Sequence, residues 1–213
     1  MPLNLVMLGP PGAGKGTQAE RFAQKHKVPK ISTGDILREA VTSGTEFGRA
    51  AKAVMDAGRL VGDEIMVGIV RERLLRDDAK AGFVLDGFPR TVPQAVALDG
   101  MLGAQPLVVV DIVVPEEALV RRLASRRMCE QCGHSALPAE RGCPKCGGAL
   151  VVRIDDSAGI VLERLRIYVE QTAPIVEFYR GRPSFRAIDG TKAPEDVQAA
   201  ICEAVTAVAG GMA

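Results

Sequence analysis

Residues 9–17 read Gly-Pro-Pro-Gly-Ala-Gly-Lys-Gly-Thr and follow directly on the apolar run Leu3–Leu8. A strand, a glycine-rich turn and a helix are the context in which such a loop binds phosphate. Gly9, Gly12, Gly14 and Gly16 let the backbone curl, so that several N–H groups face one anion. A helix starting near Lys15 adds the positive end of its dipole. Lys15 has the reach for the β- and γ-phosphates of a nucleoside triphosphate, and the Thr17 hydroxyl suits Mg²⁺.

A second set of residues points to a metal. Cys129-x-x-Cys132 and Cys143-x-x-Cys146 form two hooks ten residues apart. Four thiolates suit one tetrahedral zinc ion. Disulfides, a redox role for one hook and a nucleic-acid-binding zinc hairpin are the alternatives. Four of the five cysteines lie in these hooks, which fits metal binding in a reducing cytoplasm better than disulfides. The insert carries Arg141 and Lys145 but no aromatic residue for stacking on bases, which argues against nucleic acid. His134 could stand in as a ligand, although four thiolates already complete the shell.

A third set suits a phosphate acceptor. Asp86-Gly87-Phe88-Pro89-Arg90 ends a short apolar strand, where ligands bind in open α/β sheets. Asp86 can orient waters on Mg²⁺, and Arg90 can fork onto a phosphate. Ser32-Thr33-Gly34-Asp35 reads as a helix cap that also brings Thr33 and Arg38 to a nucleotide. Gln94 carries a donor and an acceptor, the pair needed to read an adenine edge. Arg122 and Arg126, four apart, are expected on one face of the helix entering the cysteine insert. Arg153 leaves that insert, and Arg164 lies on the next helix. Phosphoryl transfer needs spread positive charge of this kind.

The elements that position these residues alternate between strand and helix. Strands are expected at Leu3–Leu8, Phe83–Asp86, Leu107–Val114 and Phe185–Ile188. Helices are expected at Lys15–His26, Glu116–Arg127, Gly159–Glu177 and Pro194–Val208. The β-branched run at 107–114 reads as a central parallel strand. The pattern predicts an α/β fold with a doubly wound parallel sheet of the P-loop NTPase type. Two stretches break it: a helical insert at residues 33–75 and the cysteine-bearing insert at 128–152. With 213 residues and 47% hydrophobic content the chain supports one sizeable core. A net charge of +1 is too balanced for a general polyanion binder. No run has membrane-spanning length. The first strand starts almost at Met1, so no cleaved leader is expected.

Taken together, the loop at 9–17, Ser-Thr-Gly-Asp at 32–35, Asp-Gly-Phe-Pro-Arg at 86–90 and Asp-Gly-Thr-Lys at 189–192 resemble the adenylate kinases. The likeness runs from Leu3 to about Val197, and the cysteine insert resembles the zinc-bearing LID of bacterial members. It implies reversible transfer, ATP + AMP ⇌ 2 ADP, with Mg²⁺ and a structural Zn²⁺. It implies a core at 1–31, 62–125 and 157–213, an AMP-binding insert at 32–61 and a LID at 126–156. By position Gly12, Ala13, Gly14, Lys15, Gly16 and Thr17 would hold ATP phosphates, with Arg122, Arg126 and Lys192 also on ATP. AMP would meet Thr33, Arg38, Arg90 and Gln94 with backbone of Arg59, Leu60, Val61 and Gly87. Arg153 and Arg164 would bridge the phosphates, and Lys15, Arg90, Arg126, Arg153 and Arg164 would be catalytic. Cys129, Cys132, Cys143 and Cys146 would hold zinc.

The chain departs from the family pattern in the insert. The segment between the hooks is short. Ser135-Ala136 stands where an aromatic residue usually lies. Ser-Ala-Gly-Ile follows Asp155-Asp156 in place of acidic residues. The expected protein is a cytoplasmic monomer acting on ATP, AMP and ADP, with neither nucleic acid nor membrane as partner. The rivals are a kinase for another nucleoside monophosphate and a zinc-ribbon nucleic-acid binder with a vestigial nucleotide site.

Overall fold

The computed structural model describes residues 3–44, 46–137, 139–153, 156 and 158–211. In chain order the elements begin with β1 (Leu3–Leu8), α1 (Lys15–His26) and β2 (Lys30–Ser32). Three helices follow without a strand: α2 (Thr33–Thr42), α3 (Glu46–Asp56) and α4 (Asp63–Leu74). Then come β3 (Gly82–Asp86), α5 (Val92–Leu102), β4 (Leu107–Val113) and α6 (Glu116–Ala124). The cysteine insert is framed by β5 (Arg127–Cys129) and β6 (Leu150–Val152), which pair antiparallel. The chain closes with α7 (Ala158–Ile167), a π turn (Tyr168–Thr172), α8 (Ala173–Arg180), β7 (Phe185–Asp189) and α9 (Pro194–Gly211).

The main sheet is parallel throughout, in the order β2-β3-β1-β4-β7. Alternation along β1 creates its two layers. Leu5 and Met7 face one side with Val108, Val110 and Ile112, beneath Phe22 of α1, Leu123 of α6 and Ile201 of α9. Val6 and Leu8 face the other with Val109, beneath Val70 of α4, Leu98 of α5, and Ile175 and Tyr179 of α8. Both faces are buried, so the strands read as unbroken apolar runs rather than alternating ones. Truncating a fully buried member such as Leu98 or Ile201 to alanine should cost about 2–5 kcal/mol.

All five strands run the same way, so their carboxyl ends open on one edge. Gly9, Thr33, Gly87 and Gly190 are the residues that follow β1, β2, β3 and β7 there. Three local expectations differ from the structure. The helix from Glu116 stops at Ala124, so Arg126 lies beyond the helix that carries Arg122, and Arg127 is already in β5. The helix expected from 159 to 177 is broken by the π turn. The three-residue β2 was not expected, since it is too short to show a period. Among the described residues no helix is long and apolar enough to cross a membrane.

Candidate active site at the carboxyl edge of the sheet

The floor of the site is the phosphate loop. A Cβ on Gly9 would lie 2.7 Å from the Ile112 carbonyl oxygen, at a φ of +134°, so only glycine lets the loop press against β4. Gly14 starts α1 in the left-handed region. Among the described residues no side chain caps α1, and its first turn holds no acidic residue. Its leading N–H groups are thus left to an anion.

Lys15 folds back over the loop. Its Nζ donates to the carbonyls of Gly9 (2.7 Å) and Pro10 (2.9 Å). Burial pulls the ammonium down from 10.5 to about 7. Asp86 opposes that shift, while Arg90, Arg164 and Arg126 add to it. An arriving polyphosphate supplies the missing counter-charge. Asp86 is close to the loop on its other side: a Cβ on Gly16 would sit 3.2 Å from Asp86 Oδ2.

A cleft opens from the loop toward α2, α3 and the β3–α5 turn. Its lining includes Lys15, Thr33, Arg38, Arg59, Leu60, Val61, Gly87, Arg90, Gln94, Arg153 and Arg164. These eleven residues, widely separated in sequence, were all expected at the acceptor or transfer site. Gly12, Ala13, Gly14, Gly16, Thr17, Asp86, Arg122, Arg126 and Lys192 lie outside this lining. The Gly87 carbonyl ties the acceptor side together, accepting from Thr33 Oγ1 (2.7 Å) and Arg90 Nε (2.8 Å). Arg38 pairs with Asp35, one turn back on α2. Gln94 is almost wholly buried. Its Oε1 accepts from the Arg90 N–H (2.8 Å) and its Nε2 donates to Asp63 (2.8 Å).

The arginines on the insert side share a carboxylate. Asp156, its side chain fully buried, accepts from Arg126 Nε (2.7 Å) and Nη2 (2.5 Å) and from Arg164 Nη1 (3.0 Å). Asp155 and Ser157 lie outside the described residues. Arg122 points elsewhere, donating to the Gly190 carbonyl (2.8 Å) in the loop that carries Lys192. The expected shared face of Arg122 and Arg126 is therefore replaced by two separate anchors, because the helix ends between them.

The four insert cysteines are free thiols, so the disulfide alternative does not hold. Their Sγ atoms all lie within 4.8 Å of one another, two pairs at 3.4 Å. A tetrahedral ion with Zn–S of about 2.3 Å needs S···S edges of about 3.8 Å. N–H groups of Cys132 and Gln131 point at Cys129 Sγ and draw that thiol down to about 7, while the crowding of the other sulfurs pushes Cys132 and Cys146 up. Gly148 lets the second knuckle close, since a Cβ there would be 2.9 Å from Cys129 Sγ. His134 is turned away onto Glu140 (3.1 Å), whose carboxylate also accepts from the Leu137 N–H. This pair closes the shortened segment between the hooks.

A family model described as adenylate kinase matches residues 7–183. The chain belongs to the adenylate kinase family. An adenylate kinase of Archaeoglobus fulgidus is 49% identical over 204 residues, covering 92% of this chain and 94% of the relative. One of Moorella thermoacetica is 49% identical over 214 residues, covering 95% and 98%. One of Rhizobium etli is 47% identical over 209 residues, covering 93% and 97%.

Several residues of this family member's site gave no signal in the sequence. Asp156 stands in a loop after the cysteine insert, and nothing local in the sequence marks its carboxylate as the anchor of two arginines. Asp63 reads as an acidic first-turn residue of α4, yet it accepts from Gln94 of α5. Tyr168 and Thr172 reach the cleft from the π turn, and Thr172 Oγ1 donates to the Arg90 carbonyl (2.9 Å). A π turn leaves no periodic signature, although such turns recur at functional sites.

Proposed function

We propose that the chain catalyses reversible phosphoryl transfer, ATP + AMP ⇌ 2 ADP, with Mg²⁺ carried in on ATP. The observation that carries this reading is the cleft itself. Lys15, Arg90, Arg153 and Arg164 line one cavity together with Gln94, whose side chain is almost wholly buried. A cationic cluster beside a base-reading amide suits two phosphate chains meeting head to head.

In this reading an oxygen of the AMP phosphate attacks the γ-phosphorus in line, and the bond from that phosphorus to the β,γ-bridging oxygen breaks. No covalent enzyme intermediate is formed. The loop N–H groups and Lys15 hold the ATP phosphates, while Arg38 and Arg90 hold the AMP phosphate. Arg126, Arg153 and Arg164 spread positive charge over the transferred group. Arg122 and Lys192 belong to the ATP nucleoside side. Thr17 and Asp86 fit Mg²⁺, which when bound neutralises charge between the β- and γ-phosphates. Residues 32–61 act as the AMP-binding insert and 126–156 as a LID whose closure excludes water.

The metal in the insert is structural zinc on Cys129, Cys132, Cys143 and Cys146, since four thiolates leave no open position for chemistry. Zinc on reduced thiols fits a cytoplasmic setting. The test of acceptor identity is kcat/KM for AMP, CMP, UMP and GMP with MgATP. AMP should lead by orders of magnitude, and another leading acceptor would move the chain to a different monophosphate specificity.

A further inference from the structure

The Gln94 amide is held at both ends by groups that cannot exchange roles. A carboxylate only accepts, and Asp63 Oδ1 takes the Nε2 hydrogen at 2.8 Å. A backbone N–H only donates, and that of Arg90 takes Oε1 at 2.8 Å. Thr91 Oγ1 also donates to Asp63 Oδ1 (3.0 Å) while accepting from the Gln94 N–H (3.3 Å), which fixes the carboxylate to the start of α5. Thr172 holds the Arg90 carbonyl from the far side of the cleft. A primary amide has two N–H groups and two lone pairs on its oxygen, so one of each is left for a ligand, in a fixed order.

That order decides which purine fits. A 6-aminopurine offers a donor at N6 beside an acceptor at N1. A 6-oxopurine offers an acceptor at O6 beside a donor at N1. An amide free to turn over would satisfy either. We infer that Asp63 is a specificity-determining positioning residue, which bars the turned-over Gln94 amide and so makes the acceptor site reject 6-oxopurine monophosphates. The inference rests on the reading of Gln94 as the residue that meets the acceptor base. A turned-over amide would set its oxygen against the Asp63 carboxylate and its N–H against the Arg90 N–H.

The test measures kcat and KM for AMP and for IMP, at saturating MgATP, in the full-length zinc-loaded protein. Asp63→Ala should lower the AMP-to-IMP ratio of kcat/KM by about tenfold or more, chiefly through the KM of the monophosphate, with KM for ATP unchanged. Asp63→Asn keeps an acceptor oxygen and should restore most of the ratio. Asp63→Ser suits a helix start but is too short to reach Gln94, so it should give the same drop in the ratio should the alanine variant not fold. An unchanged ratio in the folded loss-of-contact variant, beside a collapsed ratio in Gln94→Ala, would overturn the role of Asp63 and leave base reading intact. An unchanged ratio in Gln94→Ala would instead remove the reading on which the inference rests.

Discussion

The phosphate loop and the cysteine insert are both glycine-punctuated, but different forces hold them. The loop hangs between β1 and α1, whose Leu5, Met7, Ala19 and Phe22 are sealed in one core layer. Leu5, Met7 and Phe22 each contribute roughly 1.5–3 kcal/mol by burial, so the loop keeps its shape without a ligand. The insert has a three-residue ladder, and its Val151 and Val152 are exposed. Its link to α1, Lys145 with Glu20 at 2.7 Å, is a solvent-exposed pair worth about 0–1 kcal/mol. The loop is thus rigid because the core is, while the insert depends on four sulfurs and whatever they bind.

Stripping the metal should give the largest effect. Structural zinc on thiolates contributes about 10 kcal/mol or more of apparent binding energy, and on the proposed reading it would stand in for a core. Chelation, or Cys129→Ser, should unfold the insert before the sheet. Hydrogen exchange should show lost protection at 127–152 with β1 and β4 still protected. Simultaneous loss in both regions would break the contrast.

Lys15→Ala comes next. It should cost about 3 kcal/mol or more of transition-state stabilisation, seen as a drop in kcat of at least two orders of magnitude. Its effect on stability should have the opposite sign. The folded lysine titrates near 7 against an ordinary 10.5, so its burial penalty is full below pH 7 and fades as pH rises toward 10.5. At pH 6 the variant should melt no lower than wild type, with any advantage shrinking by pH 10. A clear loss of melting temperature at pH 6 would mean that the lysine props the loop.

Gly148→Ala sharpens the insert side. The added methyl meets Cys129 Sγ at 2.9 Å, so zinc affinity measured by chelator competition should fall about 10–100-fold, with the core melting transition unchanged. The smallest effect is a proton count. Polyphosphate restores the charge of Lys15, so MgATP binding at pH 8.5 should take up close to one proton. Calorimetry in buffers of different ionisation enthalpy reads this directly, and Lys15→Ala should abolish it.

Much of this arrangement was legible in the sequence because backbone chemistry leaves local marks. The loop at 9–17 needs its glycines, β4 needs its β-branched run, and the knuckles need CxxC. Of the cleft residues, Lys15, Thr33, Gly87 and Arg90 follow from short motifs at strand ends, Arg153 and Arg164 from their bracketing of the cysteine insert, and Arg59, Leu60 and Val61 only from the family resemblance. What escaped has no local mark. Asp63 and Asp156 matter for where their carboxylates point across the fold, 31 and 30 residues from Gln94 and Arg126. The early end of α6 at Ala124 shows only in the structure, and it splits the expected Arg122–Arg126 pair. The π turn brings Tyr168 and Thr172 into the cleft by shifting the helical phase.

The central claim is that one cleft joins ATP to AMP and passes a phosphoryl group between them. Phosphorus NMR of a mixture of ATP, AMP, Mg²⁺ and the protein tests it directly. Both nucleotides should decline together while ADP appears at two per ATP consumed, with no inorganic phosphate, and omitting AMP should stop the reaction. ATP loss that continues without AMP and releases inorganic phosphate would contradict the account.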